Sequence, residues 1–250
     1  MYRGGDTVAV QWTDCDRLTV SRRYDYIARL IPFFDRMFFL PRDLRQRAVE
    51  HLGLSRGDSV LEIGCGTGNS LPYLRDAVGP EGAIYGVDIS PGMLQRASAR
   101  CHAHGWSNVE LNECDAGDYI APVALDGVLF SLSYNTMPHH RAVLRQAWLR
   151  LRPGGRLVIM DAKLPSGPAA QWLLPFSIWL MRHTMLGNPL IQPWKELAAV
   201  AGHVEMNERL FTSYYICRAI KPSTAAVMDG PRDLAQLDPD DEIARRIAAE

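Results

Sequence analysis

The chain has 250 residues, 47% hydrophobic and 22% charged, which suits one large α/β domain with appendages and a full buried core. Its net charge of −1 and isoelectric point of about 6.7 give no global positive field, which argues against a nucleic-acid substrate, because phosphate contacts dominate such binding. The five cysteines (Cys15, Cys65, Cys101, Cys114 and Cys217) form no Cys-x-x-Cys pair and have no histidine in zinc spacing, so neither a disulfide framework nor a metal site is expected.

Residues 1–23 read as an N-terminal extension with charges throughout and no apolar signal core, and a cytoplasmic protein is expected. The longest apolar run, 172–181, falls short of the roughly 20 residues of a membrane-spanning helix. From 24 to 52, apolar residues recur every three or four positions (Ile27, Leu30, Ile31, Phe34, Phe38, then Leu44, Ala48, Leu52), which predicts helices broken at Pro32 and Pro41. A turn at 53–58 leads to a strand at 59–63, a glycine loop at 64–68 and a helix at 69–78. The rhythm repeats with a strand at 83–87 ending at Asp88, a helix at 91–104, and strands at 109–112 and 127–131. A helix at 141–151 and the turn Pro153-Gly154-Gly155 precede a strand at 156–160. After an insertion at 163–192 come a helix at 194–201 and strands at 204–210 and 214–219. Such alternation predicts a mainly parallel sheet covered on both faces, with an antiparallel edge from the closing hairpin. The polar, Pro- and Asp-rich stretch 222–250 reads as a loosely attached tail.

The most informative segment is Leu61-Glu62-Ile63-Gly64-Cys65-Gly66-Thr67-Gly68. Three glycines between a strand and a helix let the backbone turn sharply and approach a ligand closely. The helix that follows directs free N–H groups at that ligand. Asp88 closes the next strand, placed to accept hydrogen bonds from ribose hydroxyls. The dinucleotide pattern G-x-G-x-x-G puts its third glycine where this chain has Asn69, which disfavours an NAD-dependent oxidoreductase.

Glu62-x-Gly64-x-Gly66-x-Gly68, Gly86-Val87-Asp88-Ile89-Ser90, Met93-Leu94, Asp115-Ala116 and Leu151-Arg152-Pro153-Gly154-Gly155 follow one another in the chain. Over about 59–157 this series resembles the motifs of class I S-adenosylmethionine-dependent methyltransferases, in particular the ubiquinone/menaquinone-type and phospholipid N-methyltransferase branches. The resemblance implies an α/β, Rossmann-like, seven-stranded sheet, mostly parallel, with an antiparallel C-terminal hairpin. It also implies a helical cap at 24–52, a helical insertion after strand five, and S-adenosylmethionine as donor with S-adenosylhomocysteine as product. By the same resemblance Glu62 orients the methionine ammonium, and Gly64, Cys65 and Gly66 line the methionyl and ribose segment. Asp88 binds the ribose diol, Ile89 and Met93 pack on adenine, and Asp115 and the Ala116 N–H meet the adenine edge. Phe130 and Ser131 flank the sulfonium.

Direct displacement from a sulfonium requires alignment and exclusion of water rather than a covalent nucleophile, with a general base where the acceptor is a hydroxyl or protonated amine. Candidates on the acceptor side are Tyr24, Tyr134 and Asp161, with Tyr26, Asn135, His139, His140, Lys163, Tyr214 and Tyr215 behind them. Related enzymes often carry Leu-His-His after strand four; this chain has Tyr134-Asn135-Thr136-Met137-Pro138, and His139-His140 reads as a solvated helix start. The insertion is too apolar for free solvation and reads either as extra core or as a lid for a lipid-like acceptor, with 171–187 touching the inner membrane surface. The function expected is methyl transfer to a small hydrophobic or amphiphilic acceptor: a phospholipid-type amine, a quinone or a phenolic metabolite. Aminocarboxypropyl transfer from the same donor, an NAD-dependent oxidoreductase and a non-catalytic binding protein are the alternatives.

Overall fold

The computed structural model of the protein describes residues 43–163, 191–209 and 212–223. Most of the expected helical cap, with Tyr24 and Tyr26, lies outside these residues, as do the apolar insertion over 164–190 and the tail from 224.

Helix α1, Leu44–Leu52, buries Leu44, Ala48, Val49 and Leu52, which the helical repeat puts on one face. Strand β1, Ser59–Ile63, helix α2, Leu71–Val78, strand β2, Ala83–Asp88, helix α3, Pro91–His104, and strand β3, Val109–Glu113, follow in alternation. Ser90 caps α3 by accepting the Met93 N–H at 3.1 Å, with Pro91 in the first turn. Strand β4, Leu125–Ser131, passes through a 3-10 turn, Tyr134–Thr136, into helix α4, His140–Arg150. Strand β5, Leu151–Ala162, helix α5, Pro193–Ala201, and strands β6, Glu205–Arg209, and β7, Tyr214–Ile220, complete the described chain.

The seven strands form one sheet in the order β3-β2-β1-β4-β5-β7-β6. Strands β1 to β5 are mutually parallel, and β7 runs antiparallel to both β5 and β6. The hairpin therefore folds inward: β7 pairs with β5, and β6 takes the edge with Glu205, Glu208 and Arg209 exposed on it. Charged side chains on an outermost strand discourage pairing with other chains.

Alternate residues of the central strands supply two cores. Leu61, Ile63, Val128, Phe130, Leu157, Ile159 and Tyr215 pack on one face with Val143, Leu144 and Ala147 of α4 and Leu197 of α5. Val60, Leu129, Val158, Met160 and Ile216 pack on the other with buried residues of α1, α2 and α3. Both faces are covered, which is why these strands read as nearly continuous apolar runs.

The Pro153-Gly154-Gly155 turn is real but lies inside β5 as a bulge. Leu125 pairs with Leu151 and Gly127 with Arg156, so Arg152, Pro153, Gly154 and Gly155 stand opposite the single Asp126. Lys221 closes the bulge: its N–H donates to the Gly155 carbonyl and its carbonyl accepts from Gly154, both at 2.8 Å. Its Nζ donates to the carbonyls of Trp148, Leu149 and Leu151 at 3.0, 3.1 and 2.7 Å, placing a cation on the C-terminal end of α4. Lys221→Met keeps the stem and removes these bonds, and should lower stability by about 1–2 kcal/mol. Urea unfolding at unchanged slope measures this; a variant as stable as its parent would show that water serves those carbonyls equally well.

Candidate active site

Chain order along the sheet runs outward from β1 in both directions, to β2 and β3 on one side and to β4 and β5 on the other. Parallel strands that diverge in this way leave a crevice beyond their carboxyl ends. The glycine bend stands at that point. Its Gly64 and Cys65 N–H groups donate to the Val87 carbonyl at 2.8 and 3.0 Å, which leans the bend across β2. Gly64 and Gly66 both have left-handed backbone, with φ +70 and +54. A Cβ on Gly64 would stand 2.4 Å from the Ser133 Cβ, so this glycine lets the turn after β4 close against β1. A Cβ on Gly66 would meet nothing within 4 Å and would project into open space above the bend.

Asp88 ties the bend to the next helix. Its Oδ2 accepts the Gly66 N–H at 2.8 Å and its Oδ1 accepts the Ser90 N–H at 2.9 Å. The adjacent β3 end arrives through the Cys114 N–H, which donates to the Asp88 carbonyl at 3.3 Å. Asp115 then accepts the Gly117 N–H at 2.8 Å, and Ala116 packs partly buried against the core of that face. Asp88, Asp115 and Ala116 thus share one side of the crevice. Ile89 follows at its edge, half-buried. Met93 is buried on the inner face of α3 with Leu94, Ala97 and Cys101.

Glu62 carries the chemistry most in need of a partner. It is 1% exposed, and among the described residues its Oε2 has no hydrogen-bond partner. Burial pushes its carboxyl up to about 7, offset in part by a hydrogen bond with Ser70 and by the Arg45 charge. A buried carboxylate oxygen left unmatched is costly unless a donor or cation meets it. The residues fit a ligand with an ammonium at Glu62 and a sugar against Gly66 and Asp88, as an adenosyl-methionine donor has. Cys65 is buried beneath the bend, and burial pushes its thiol well up, so it packs rather than reacts.

On the β4 side, Ser131 lies at the rim, its hydroxyl hydrogen-bonded to that of Ser70 at 3.2 Å. The Phe130 ring turns the other way, fully buried and edge-on to Tyr134 with centroids 5.2 Å apart. Ser133, which the sequence did not single out, donates to the Ile63 carbonyl at 2.6 Å. Tyr134 is fully buried and its hydroxyl donates to Glu196 Oε2 at 2.6 Å. Burial and the neighbouring carboxylate push that phenol far up, so it stays protonated.

Asp161 is 2% exposed; its Oδ2 accepts the Asn135 N–H at 3.1 Å and its Oδ1 the Ala162 N–H at 2.8 Å. Burial pushes its carboxyl up to about 7 against these bonds. Oδ2 thus holds the turn after β4, and Oδ1 is engaged at the end of its own strand. His139 is exposed, as a solvated helix start should be, but His140 turns inward. Its Nδ1 is 3.1 Å from the Met137 carbonyl and its Nε2 is 3.3 Å from Glu196 Oε1. Lys163 pairs with Glu208 and lies over the Trp194 ring, 5.4 Å from its centroid. Tyr214 and Tyr215 are buried on opposite faces of β7. Neither Ser133 nor Glu196 has a sequence signature: their partners are 70 and 62 residues away.

A family model described as a methyltransferase domain matches residues 54–212, more than half of the chain. A demethylmenaquinone methyltransferase of Geobacillus kaustophilus is 28% identical over 148 residues. That alignment covers 59% of this chain and 61% of the relative, so it spans less than two thirds of that protein's length. Among solved structures, a SAM-dependent methyltransferase from Aquifex aeolicus superposes with a TM-score of 0.55 at 20% identity, over 76% of this chain and 97% of the other. A phosphoethanolamine N-methyltransferase of Haemonchus contortus, in complex with S-adenosylmethionine, superposes with a TM-score of 0.58 at 16% identity over 72% and 53%. These likenesses place the sheet in the Rossmann-like methyltransferase fold.

Gly66→Ala should lose about 1–2 kcal/mol of stability from the left-handed backbone. Its added methyl occupies the space above the bend, so affinity for S-adenosylhomocysteine should fall at least about tenfold. Gly64→Ala, which also collides with Ser133, should be the less stable of the two in thermal unfolding. Parental affinity in Gly66→Ala would mean that the ligand does not run over this bend.

Glu62 also links binding to pH. A protonated Glu62 cannot pair with an ammonium, so affinity for S-adenosylhomocysteine should weaken as pH falls below about 7, by up to about tenfold per unit. Calorimetry near pH 6 in buffers of different ionisation enthalpy should show a proton released on binding. Glu62→Gln should bind more weakly with that slope gone; an unchanged slope would assign the linkage elsewhere. The sign for stability without ligand is opposite to that of a salt-bridged acid. Glu62 and Asp161 keep protons in the folded state that unfolded chains shed near 4.5 and 3.8, so stability falls as pH rises from there toward about 7.

Proposed function

The chain belongs to the methyltransferase-domain family, a family of S-adenosylmethionine-dependent enzymes, and from that premise we propose that it methylates a hydrophobic aromatic acceptor of the demethylmenaquinone kind. The donor half of this reading is carried by the buried Oε2 of Glu62 beside the glycine bend, unmatched among the described residues. The acceptor half is supported by the similarity to a demethylmenaquinone methyltransferase and by the apolar sequence at 171–187, which suits an acceptor carried in a membrane. Among the described residues no helix is long and apolar enough to cross a membrane.

In this reading Glu62 holds the methionine ammonium, with the backbone of Gly64, Cys65 and Gly66 along the methionyl and ribose segment. Asp88 meets the ribose diol, while Asp115 and the Ala116 N–H meet the adenine edge and Ile89 lies beside it. Met93 supports that wall from within α3. When bound, S-adenosylmethionine supplies a methyl group on a sulfonium that is open to direct displacement. Ser131 and the turn after β4 border the place where acceptor and methyl must approach to about 3–3.5 Å with water excluded.

Tyr134 and Asp161 shape this wall. Proton transfer suits neither, because the Tyr134 hydroxyl is donated to Glu196 and the oxygens of Asp161 accept backbone N–H groups. Tyr24 remains the acceptor-side candidate from the N-terminal segment.

The test is a transfer assay with methyl-labelled donor, offering demethylmenaquinol or phosphatidylethanolamine in vesicles. The quinol should gain one methyl group by mass, and Asp88→Ala should lower donor affinity by at least about a hundredfold with the fold retained. Label on the phospholipid amine alone would overturn the acceptor assignment. Gain of the larger aminocarboxypropyl group would overturn the reaction type.

A further inference from the structure

The turn that follows β4 is tied down more heavily than a connection requires. Leu132 has φ +57, an uncommon state for a residue with a Cβ, and its N–H donates to the Met160 carbonyl at 2.8 Å. Such strain persists where the surroundings over-determine it, and it concentrates at functional sites. Ser133 is pinned to the end of β1, the Thr136 hydroxyl donates to the Ser133 carbonyl at 2.7 Å, and the Asn135 N–H is held by Asp161. Asn135 Nδ2 also donates to the Ala162 carbonyl at 2.9 Å, and a further tie comes from beyond the insertion, from the first turn of α5.

There Glu196 gathers three partners. Its Oε2 accepts the Tyr134 hydroxyl, while its Oε1 accepts Arg141 Nε at 3.2 Å and faces His140 Nε2. Its side chain is 17% exposed. Burial pushes its carboxyl up, but the bonds from His140 and Tyr134 outweigh this and hold it below the ordinary value, so it is ionised at neutral pH. A hydroxyl bound to an ionised carboxylate makes one of the stronger hydrogen bonds. The Tyr134 ring is in turn wedged edge-on between Phe130 and His140, each 5.2 Å away.

We propose that Glu196 is a positioning residue for methyl transfer, holding Tyr134 and through it the 132–136 turn at the separation from the glycine bend that aligns acceptor and methyl group. The coupling is steric. Ser133 already fills the place that a Cβ on Gly64 would need, and Ser131 is bonded to Ser70, so the turn stands directly against the bend and its position sets the gap between them. A misplacement of about 1 Å costs on the order of a hundredfold in rate. The inference rests on the donor-site reading above and adds a residue that never touches the reacting atoms.

The test compares Glu196→Ala, Glu196→Gln, Tyr134→Phe and the double variant Tyr134→Phe/Glu196→Ala. Turnover on demethylmenaquinol should fall about ten- to a hundredfold in Glu196→Ala and Tyr134→Phe, with S-adenosylhomocysteine affinity within about twofold of the parent. The double variant should lose no more than the worse single one, and Glu196→Gln, which keeps an acceptor, should recover part of the loss. Backbone amides at 132–137 should exchange faster with deuterium while those of β1 and β4 keep their protection. Unchanged turnover, or parental exchange at 132–137, in a variant that has merely lost melting temperature would overturn the proposal. If the parent itself methylates no quinol, the acceptor reading falls alone and the exchange comparison decides this one. Should Glu196→Ala fail to fold, Tyr134→Phe removes the same bond, and its turnover and amide exchange decide in the same way.

Discussion

The site depends on one carboxylate that joins two pieces of backbone. Asp88 accepts an N–H from the middle of the glycine bend and another from the residue that caps α3. The bend alone is a flexible, glycine-rich stretch whose left-handed residues gain little from packing. Anchored at Gly66 by a carboxylate acceptor, it keeps one shape and leaves the space above Gly66 open. The same carboxylate stands at the crevice where the parallel strands diverge, so the group that stabilises the loop is also the one proposed to meet a sugar.

Buried and half-buried acids around this crevice have different tasks, and their environments separate them. Asp88 and Asp161 receive backbone N–H groups and hold loops. Glu196 is kept ionised by its hydrogen bonds and binds a phenol. Glu62 lies deepest, with an oxygen that nothing among the described residues satisfies. Burial raises both Glu62 and Asp161 to about 7, but among the described residues Glu62 keeps an unmatched oxygen and Asp161 does not. The physical contrast is desolvation with both oxygens partnered against desolvation with one left over.

The same division holds on the acceptor side. The residue types expected to supply a base, Tyr134 and Asp161, are present, yet each is spent on holding the strained turn that begins at Leu132. Their burial makes them poor at exchanging protons with an acceptor and well suited to keeping a wall in place. In a one-step displacement, alignment and exclusion of water carry most of the barrier reduction, so a rigid wall is a functional part.

Much of this was legible from sequence because it is local. Apolar spacing marked Leu44, Ala48 and Leu52 as one helix face, and all are buried. The strands at 59–63 and 83–88, the helix at 91–104 and the glycine bend between strand and helix depend on neighbours a few residues away. So does the acid at the end of β2. The tertiary structure alone decided that β7 lies inside β6, that Pro153-Gly154-Gly155 bulges out of β5, and that His140 faces inward while His139 does not. It alone brought Glu196 to Tyr134 and Ser133 to Ile63, across 62 and 70 residues. Side-chain periodicity reports which face of an element is buried; which element lies against that face is set by the order of strands in the sheet, and no local pattern encodes that order.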